Sequence, residues 1–134
     1  MANEAVIVEL LGNKGDPMQF ICVDGDAYPK GTILKLSDNR EADLSAADGD
    51  LCAGICAMEK VANDGSTTVS AYTNGVFTLT EANSAEIAVG KPVTIGGANL
   101  IKLAAAGEAS TGDIFGRALA TIAKNGTGSV RVLL

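Results

Sequence analysis

GDLCAGICAMEKVANDGSTTVSAYTNGVFTL, residues 49–79, is the stretch on which the fold turns. It reads as two or three short strands with turns between them. Leu51, Ile55 and Met58 are the apolar anchors of the first run. Val69, Ala71 and Tyr72, then Val76, Phe77 and Leu79, anchor the next two. Asn63-Asp64-Gly65-Ser66 and Thr73-Asn74-Gly75 lie between these runs. Asn-Gly and Asp-Gly pairs supply the positive φ angles of tight hairpins, so a turn is expected at each.

A weaker copy closes the chain: GDIFGRALATIAKNGTGSVRVLL, residues 112–134. Gly112-Asp113-Ile114 repeats Gly49-Asp50-Leu51. With one residue of slippage, Gly116 to Ala120 matches Gly54 to Met58. An Asn125-Gly126 turn and an alternating strand, Ser129 to Leu134, follow. The segments ahead of each copy also rhyme: Pro29-Lys30-Gly31-Thr32-Ile33-Leu34-Lys35-Leu36 before the first, Val89-Gly90-Lys91-Pro92-Val93-Thr94-Ile95 and Leu100 to Leu103 before the second. The expectation is a pseudo-duplicated β unit.

At 134 residues the chain has the size of one domain. Ala and Gly dominate its apolar content, aromatic residues are few and Trp is absent. Small side chains each bury little area, at about 0.8 kcal/mol per methylene, so oligomerisation is a natural way to gain stability. A net charge of −6 with scattered basic residues argues against nucleic acid as a partner. No segment approaches the roughly 20 apolar residues of a membrane span. Met1-Ala2-Asn3-Glu4 lacks the basic start of a signal peptide, which gives an expectation of synthesis in the cytoplasm. Cys22, Cys52 and Cys56 are an odd set without zinc spacing and are expected to be reduced, buried small hydrophobes.

Residues 1–12 are read as an N-terminal arm or a first strand, and 13–134 as a single β-rich domain. Ala5 to Leu11, AVIVELL, fits either a core strand or an extended arm that pairs elsewhere. Met18 to Val23 alternates in part. Ser37 to Asp50 is acidic and polar, expected as a solvated loop with a helical turn near Ser45-Ala46-Ala47. Thr80 to Ala88 is expected to hold a turn or a single helical turn, and Ala104 to Thr111 a short helix with Gly107 past its end. Gly96-Gly97-Ala98-Asn99 is a hairpin loop, and the last strand is expected to dock the C-terminal leucines in a sheet. The fold class is all-β, a small barrel or sandwich with one or two short helical turns.

A search for chemistry returns little. There is no His, which removes Ser-His, Cys-His and imidazole–metal sites. Neither the Asp38, Asp43, Asp48 and Asp50 cluster nor Asp24-Gly25-Asp26 has the spacing of a calcium loop. No phosphate-binding glycine motif is present. The remaining catalytic option is a carboxylate pair, Asp50 and Asp113, brought together by the pseudo-repeat; the competing reading is that both cap turns. No enzyme, cofactor or metal site is expected.

Four motifs carry a resemblance: Asn74-Gly75-Val76, Val89-Gly90-Lys91-Pro92-Val93, Gly116-Arg117-Ala118-Leu119 and Val130-Arg131-Val132. In that order they resemble the small head-decoration (capsid cement) proteins of tailed bacteriophages, over about the C-terminal two-thirds of the chain. The resemblance implies a β-rich homotrimer without enzymatic activity or cofactor. It would sit on the outer surface of the virion head at three-fold and quasi-three-fold positions, with the major capsid protein as partner. It also implies an N-terminal arm that adds a strand to the capsid subunit, which makes Ala5, Val6, Ile7, Val8, Leu10 and Leu11 the candidate capsid-binding residues. The alternative is a carbohydrate-binding β module of a phage tail or fibre.

Overall fold

Two hairpins of identical register set the plan of the molecule. In the first, β3 (Ile33–Asp38) and β4 (Glu41–Leu44) pair Leu34 with Leu44, Lys35 with Asp43 and Leu36 with Ala42. The ladder then slips to Asp38–Glu41. In the second, β8 (Pro92–Gly97) and β9 (Leu100–Leu103) pair Val93 with Leu103, Thr94 with Lys102 and Ile95 with Ile101. This ladder also slips, to Gly97–Leu100. Each tip turns on one residue in the left-handed region, Arg40 (φ 54°) in the first and Asn99 (φ 57°) in the second.

The computed structural model describes residues 3–10 and 17–134. Among them the chain is all-β, with eleven strands and one four-residue helix. The first unit adds β2 (Met18–Ile21), β5 (Cys52–Cys56) and β6 (Thr68–Tyr72) and closes as a five-stranded barrel, β2-β4-β3-β5-β6. A parallel step from Ile21 to Glu41 completes the closure. The second unit adds β7 (Asn74–Thr80), β10 (Gly116–Ala118) and β11 (Thr127–Leu133), with β1 (Val6–Leu10) on its edge, in the order β1-β7-β11-β10-β8-β9. Here too a parallel bridge, Glu81 to Ile101, links the two ends of the curl. The antiparallel bridge Tyr28–Lys60 of the first unit reappears as Ile87–Ile122 in the second. Residues 18–72 and 74–133 are therefore two versions of one five-stranded plan.

The alignment read from the sequence, with Gly54 matched to Gly116, holds in three dimensions. A Cβ at Gly54 would meet the Tyr72 carbonyl oxygen at 2.6 Å, and one at Gly116 the Arg131 carbonyl oxygen at 2.6 Å. Both glycines let neighbouring strands approach at the same point of the plan.

Several local expectations are corrected. Asn74-Gly75 is not a turn: both residues lie in β7, paired with Leu133 and Val132 of β11, and β6 and β7 belong to different units. The residues from Ser37 onward are not all loop, because β3 runs through Asp38 and β4 follows at once. No helical turn forms at Ser45–Ala47; the Asp50 carboxylate instead accepts the N–H groups of Ala46 and Ala47, both at 2.9 Å. Thr80–Ala88 holds bends, not a helical turn. The short helix α1 is Glu108–Thr111, so Gly107 precedes it and Gly112 ends it, both left-handed. Leu51 and Met58 are exposed, since they fall outside β5, which is buried along its whole length. The C-terminal backbone is docked, Leu134 N–H bonding Thr73 O at 2.9 Å, but both terminal leucine side chains are exposed.

The interiors differ. The barrel of the first unit is filled by Phe20, Cys22, Tyr28, Leu34, Ala42, Ala53, Cys56, Val69 and Ala71, many of them small. The second unit is filled by larger groups, among them Phe77, Phe115, Ile95, Ile101 and Ile122, and its cluster extends to Ile33, Cys52 and Ile55 on the outside of the first barrel. That shared packing, with Tyr72 lying 5.9 Å from Phe77, joins the units. Buried polar bonds fix their relation: Ile33 N–H donates to Asn99 Oδ1 at 2.9 Å, and Asn99 N–H to Ser45 Oγ at 2.8 Å.

Candidate interaction surfaces

Each unit gathers its loops at one end around a single buried charge, and the charges have opposite sign. In the first unit Lys60 Nζ donates to the carbonyl oxygens of Asp24 (2.7 Å), Asp26 (3.1 Å) and Val61 (3.2 Å). The carboxylates of Asp24 and Asp64 stand at 3.5 and 3.4 Å, and the Tyr28 ring centroid at 5.9 Å. In the second unit Glu81 takes this part. Its carboxylate accepts from Asn125 N–H (2.6 Å), Ser84 Oγ–H (2.7 Å), and the N–H groups of Asn83 (2.8 Å), Ser84 (2.9 Å) and Ala85 (3.3 Å). Burial pushes this carboxyl up, but the bonds from Asn125, Ser84 and Ala85 outweigh it and hold it down at about 2. Both charges are bonded mainly to the backbone of the loops around them, and in this way they hold those loops together. Sequence reading missed both residues. The signal lay in the turns they serve, Asp24-Gly25-Asp26 and Asn125-Gly126, whose inward C=O or N–H groups need a partner.

The carboxylate pair read from the sequence is divided between the units, Asp50 in the first and Asp113 in the second. Asp50 caps the Ala46–Ala47 turn, and Lys35 lies 3.9 Å away. Asp113 follows Gly112 at the end of α1, where its N–H bonds Glu108 O at 3.3 Å. All three thiols are buried, and burial pushes Cys52 up to about 12 and Cys56 to about 11. Among the described residues no three His, Cys, Asp or Glu side chains are grouped as a metal would require. Tyr28, Phe20, Phe77 and Phe115 are buried, and Tyr72 is half-buried against Phe77. No helix among the described residues is long and apolar enough to cross a membrane.

β1 carries Val6, Ile7, Val8 and Leu10 of the N-terminal candidates; Ala5 just precedes it and Leu11 lies outside the described residues. The pairing of β1 with β7 is antiparallel, Val6 to Thr78 and Ile7 to Phe77. The ladder then skips Val8 and resumes at Glu9–Val76. Ala5 and Ile7 pack on the core of the second unit. Val6 and Val8 point outward, 61% and 54% exposed. Ala5 N–H donates to Gly31 O at 2.6 Å, so the strand also grips the first unit. At Gly31 (φ 90°) a Cβ would lie 2.8 Å from Ala5 O, which only glycine avoids. β1 is thus a first strand of the sheet whose other edge has no partner among the described residues.

A second surface is the outer face of β10 and β11. It is a depression of about 470 Å³ whose floor includes Pro92, Phe115 and Gly116 and whose rim carries Leu119, Leu133, Arg117 and Arg131. Arg117 and Arg131 stand directly opposite each other in the ladder. Arg131 Nη2 donates to Asn74 Oδ1 at 2.8 Å. Among the described residues neither arginine forms an ion pair.

No protein-family model matches the chain, and no curated protein matches it.

Proposed function

We propose that the chain is a structural virion protein, a decoration or cement protein that binds the major capsid protein on the outside of a phage head and stabilises the shell. The observation that carries this reading is β1. Among the described residues its outer edge has no strand partner and Val6 and Val8 are exposed beside it, while the segment is bonded to both units, through the pairing with β7 and through Ala5 to Gly31. An added capsid strand would gain affinity from backbone hydrogen bonds and register from the side chains. The target, the homotrimeric state and the three-fold and quasi-three-fold sites are what the resemblance of four sequence motifs to head-decoration proteins implies. Several modest contacts per oligomer would sum by avidity, so that shell subunits are held against internal pressure. Neither buried charge is available for catalysis, and the aromatic rings that a carbohydrate platform needs are turned inward or half-covered.

Purified protein mixed with empty expanded heads of the parent phage is expected to co-sediment and to raise the shell's melting temperature in calorimetry. The double variant Val6→Asp, Val8→Asp should fold and fail to bind. Absence of bound wild-type protein together with an unchanged melting temperature rejects the proposal.

A further inference from the structure

The β10–β11 depression is the counterpart, in the second unit, of the face by which the first unit holds its neighbour. Ile33, Cys52 and Ile55 of the first unit pack on the core of the second. Their counterparts under the shared plan are Pro92, Ile114 and Arg117, and all three line the depression. Tyr72, paired with Ile55, corresponds to Arg131, paired with Arg117. Ala57 N–H bonds Ser70 O as Leu119 N–H bonds Ser129 O, and Ala57 is buried where Leu119 is 48% exposed. One face of the repeated unit is therefore covered within the chain and its twin is left open.

The converse holds at the other end. Asn99, at the β8–β9 tip, is buried against the first unit, whereas its counterpart Arg40, at the β3–β4 tip, is exposed. Ile95 is fully buried and its counterpart Leu36 is exposed. Each chain thus has one unused donor face and one unused receiving face.

We infer that these two faces meet between copies of this chain: the β3–β4 tip of one copy enters the β10–β11 depression of the next, repeating between molecules the contact made within each. Charge supports this occupant. Residues 18–72 hold 9 acidic and 4 basic side chains, and residues 74–133 hold 4 and 5. The tip carries Asp38 and Glu41, while the Arg40 guanidinium is turned back to Gln19 O at 3.3 Å. The depression presents Arg117 and Arg131, two like charges facing each other across a ladder, an arrangement that carboxylates relieve. The Ile33–Asn99 bond is not repeated, because Pro92 has no N–H and Arg40 offers no acceptor; the ion pairs take its place. Two depressions meeting face to face would instead bring four arginines together. The contact is therefore head-to-tail, which closes into a ring where the rotation permits. None of this depends on a capsid.

Light scattering after size exclusion tests it. Wild-type protein is expected to run as an oligomer. Arg117→Glu with Arg131→Glu, and separately Asp38→Lys with Glu41→Lys, are each expected to run as folded monomers, with circular dichroism unchanged. An equimolar mixture of the two variants should re-associate in alternating order, as even-numbered assemblies, since each restores what the other lacks and a three-membered ring would leave one like pair. A monomeric wild type, an oligomer that survives either double substitution, or a mixture that stays monomeric overturns the inference. Head binding is read separately, so its failure leaves this result intact.

Discussion

The two units share a plan and almost nothing else. One encloses cysteines, alanines and a buried lysine; the other encloses isoleucines, phenylalanines and a buried glutamate. Strand order, bulge position and the left-handed tip residue are nevertheless the same in both. Backbone geometry is thus specified by turns and register, and many sets of side chains of suitable volume can fill it. What each unit must keep is the ability to satisfy the polar ends of its loops, and either sign of charge serves.

That comparison can be broken most severely by Ile55→Arg. It gives the first unit the residue its counterpart carries at 117, but at a position fully buried between the units. A charge there has no water and no partner. A loss of more than about 4 kcal/mol in urea unfolding is expected, enough to leave little folded protein.

Glu81 gives the next effect, with a defined pH dependence. Its carboxyl sits near 2 in the folded protein against an ordinary 4.5, so the ionised form is what folding favours. The stability it adds is full above about pH 4.5 and drains away as pH falls towards 2. Glu81→Gln should cost about 3 kcal/mol at neutral pH. The gap between variant and wild type should close across that acid window, as read by denaturation at a series of pH values. A gap independent of pH would show that the carboxylate acts by shape alone.

The smallest effect sharpens the difference in interiors. Thr94 lies on β8 with its hydroxyl buried and without a partner among the described residues, where the first unit has the half-buried Lys35. Thr94→Val keeps the shape and removes the stranded hydroxyl. A gain of about 1 kcal/mol is expected in thermal or urea unfolding.

Much of this plan was legible beforehand, and the failures are instructive. Turns that close a hairpin within one unit were found, at Gly96–Asn99 and in outline at Asn63–Gly65 and Asn125–Gly126. The slipped match of Gly49 and Gly54 with Gly112 and Gly116 also survived. Asn74-Gly75 misled because its dipeptide has turn chemistry while the strands on either side pair with others; local propensity cannot see a unit boundary. The strand Glu41–Leu44 was hidden by its acidic residues, though carrying the repeat one hairpin further would have aligned Arg40 with Asn99 and exposed it. Among the candidate residues, Val6 and Val8 were read only as part of the apolar stretch Ala5 to Leu11 that the resemblance marked as an arm. Which of its side chains face outward depends on the skipped rung at Val8, which no local pattern shows. The β10–β11 depression was invisible, because Pro92, Arg117 and Arg131 are brought together only by the pairing of β8, β10 and β11.

The lengthwise union of β1 with β7 has a mechanical meaning. A pull along the strand axis from the N-terminal side would strain the rungs between them together, as a glued lap joint is strained, and would not peel them one after another. A tether fastened in this way should yield late and abruptly under load.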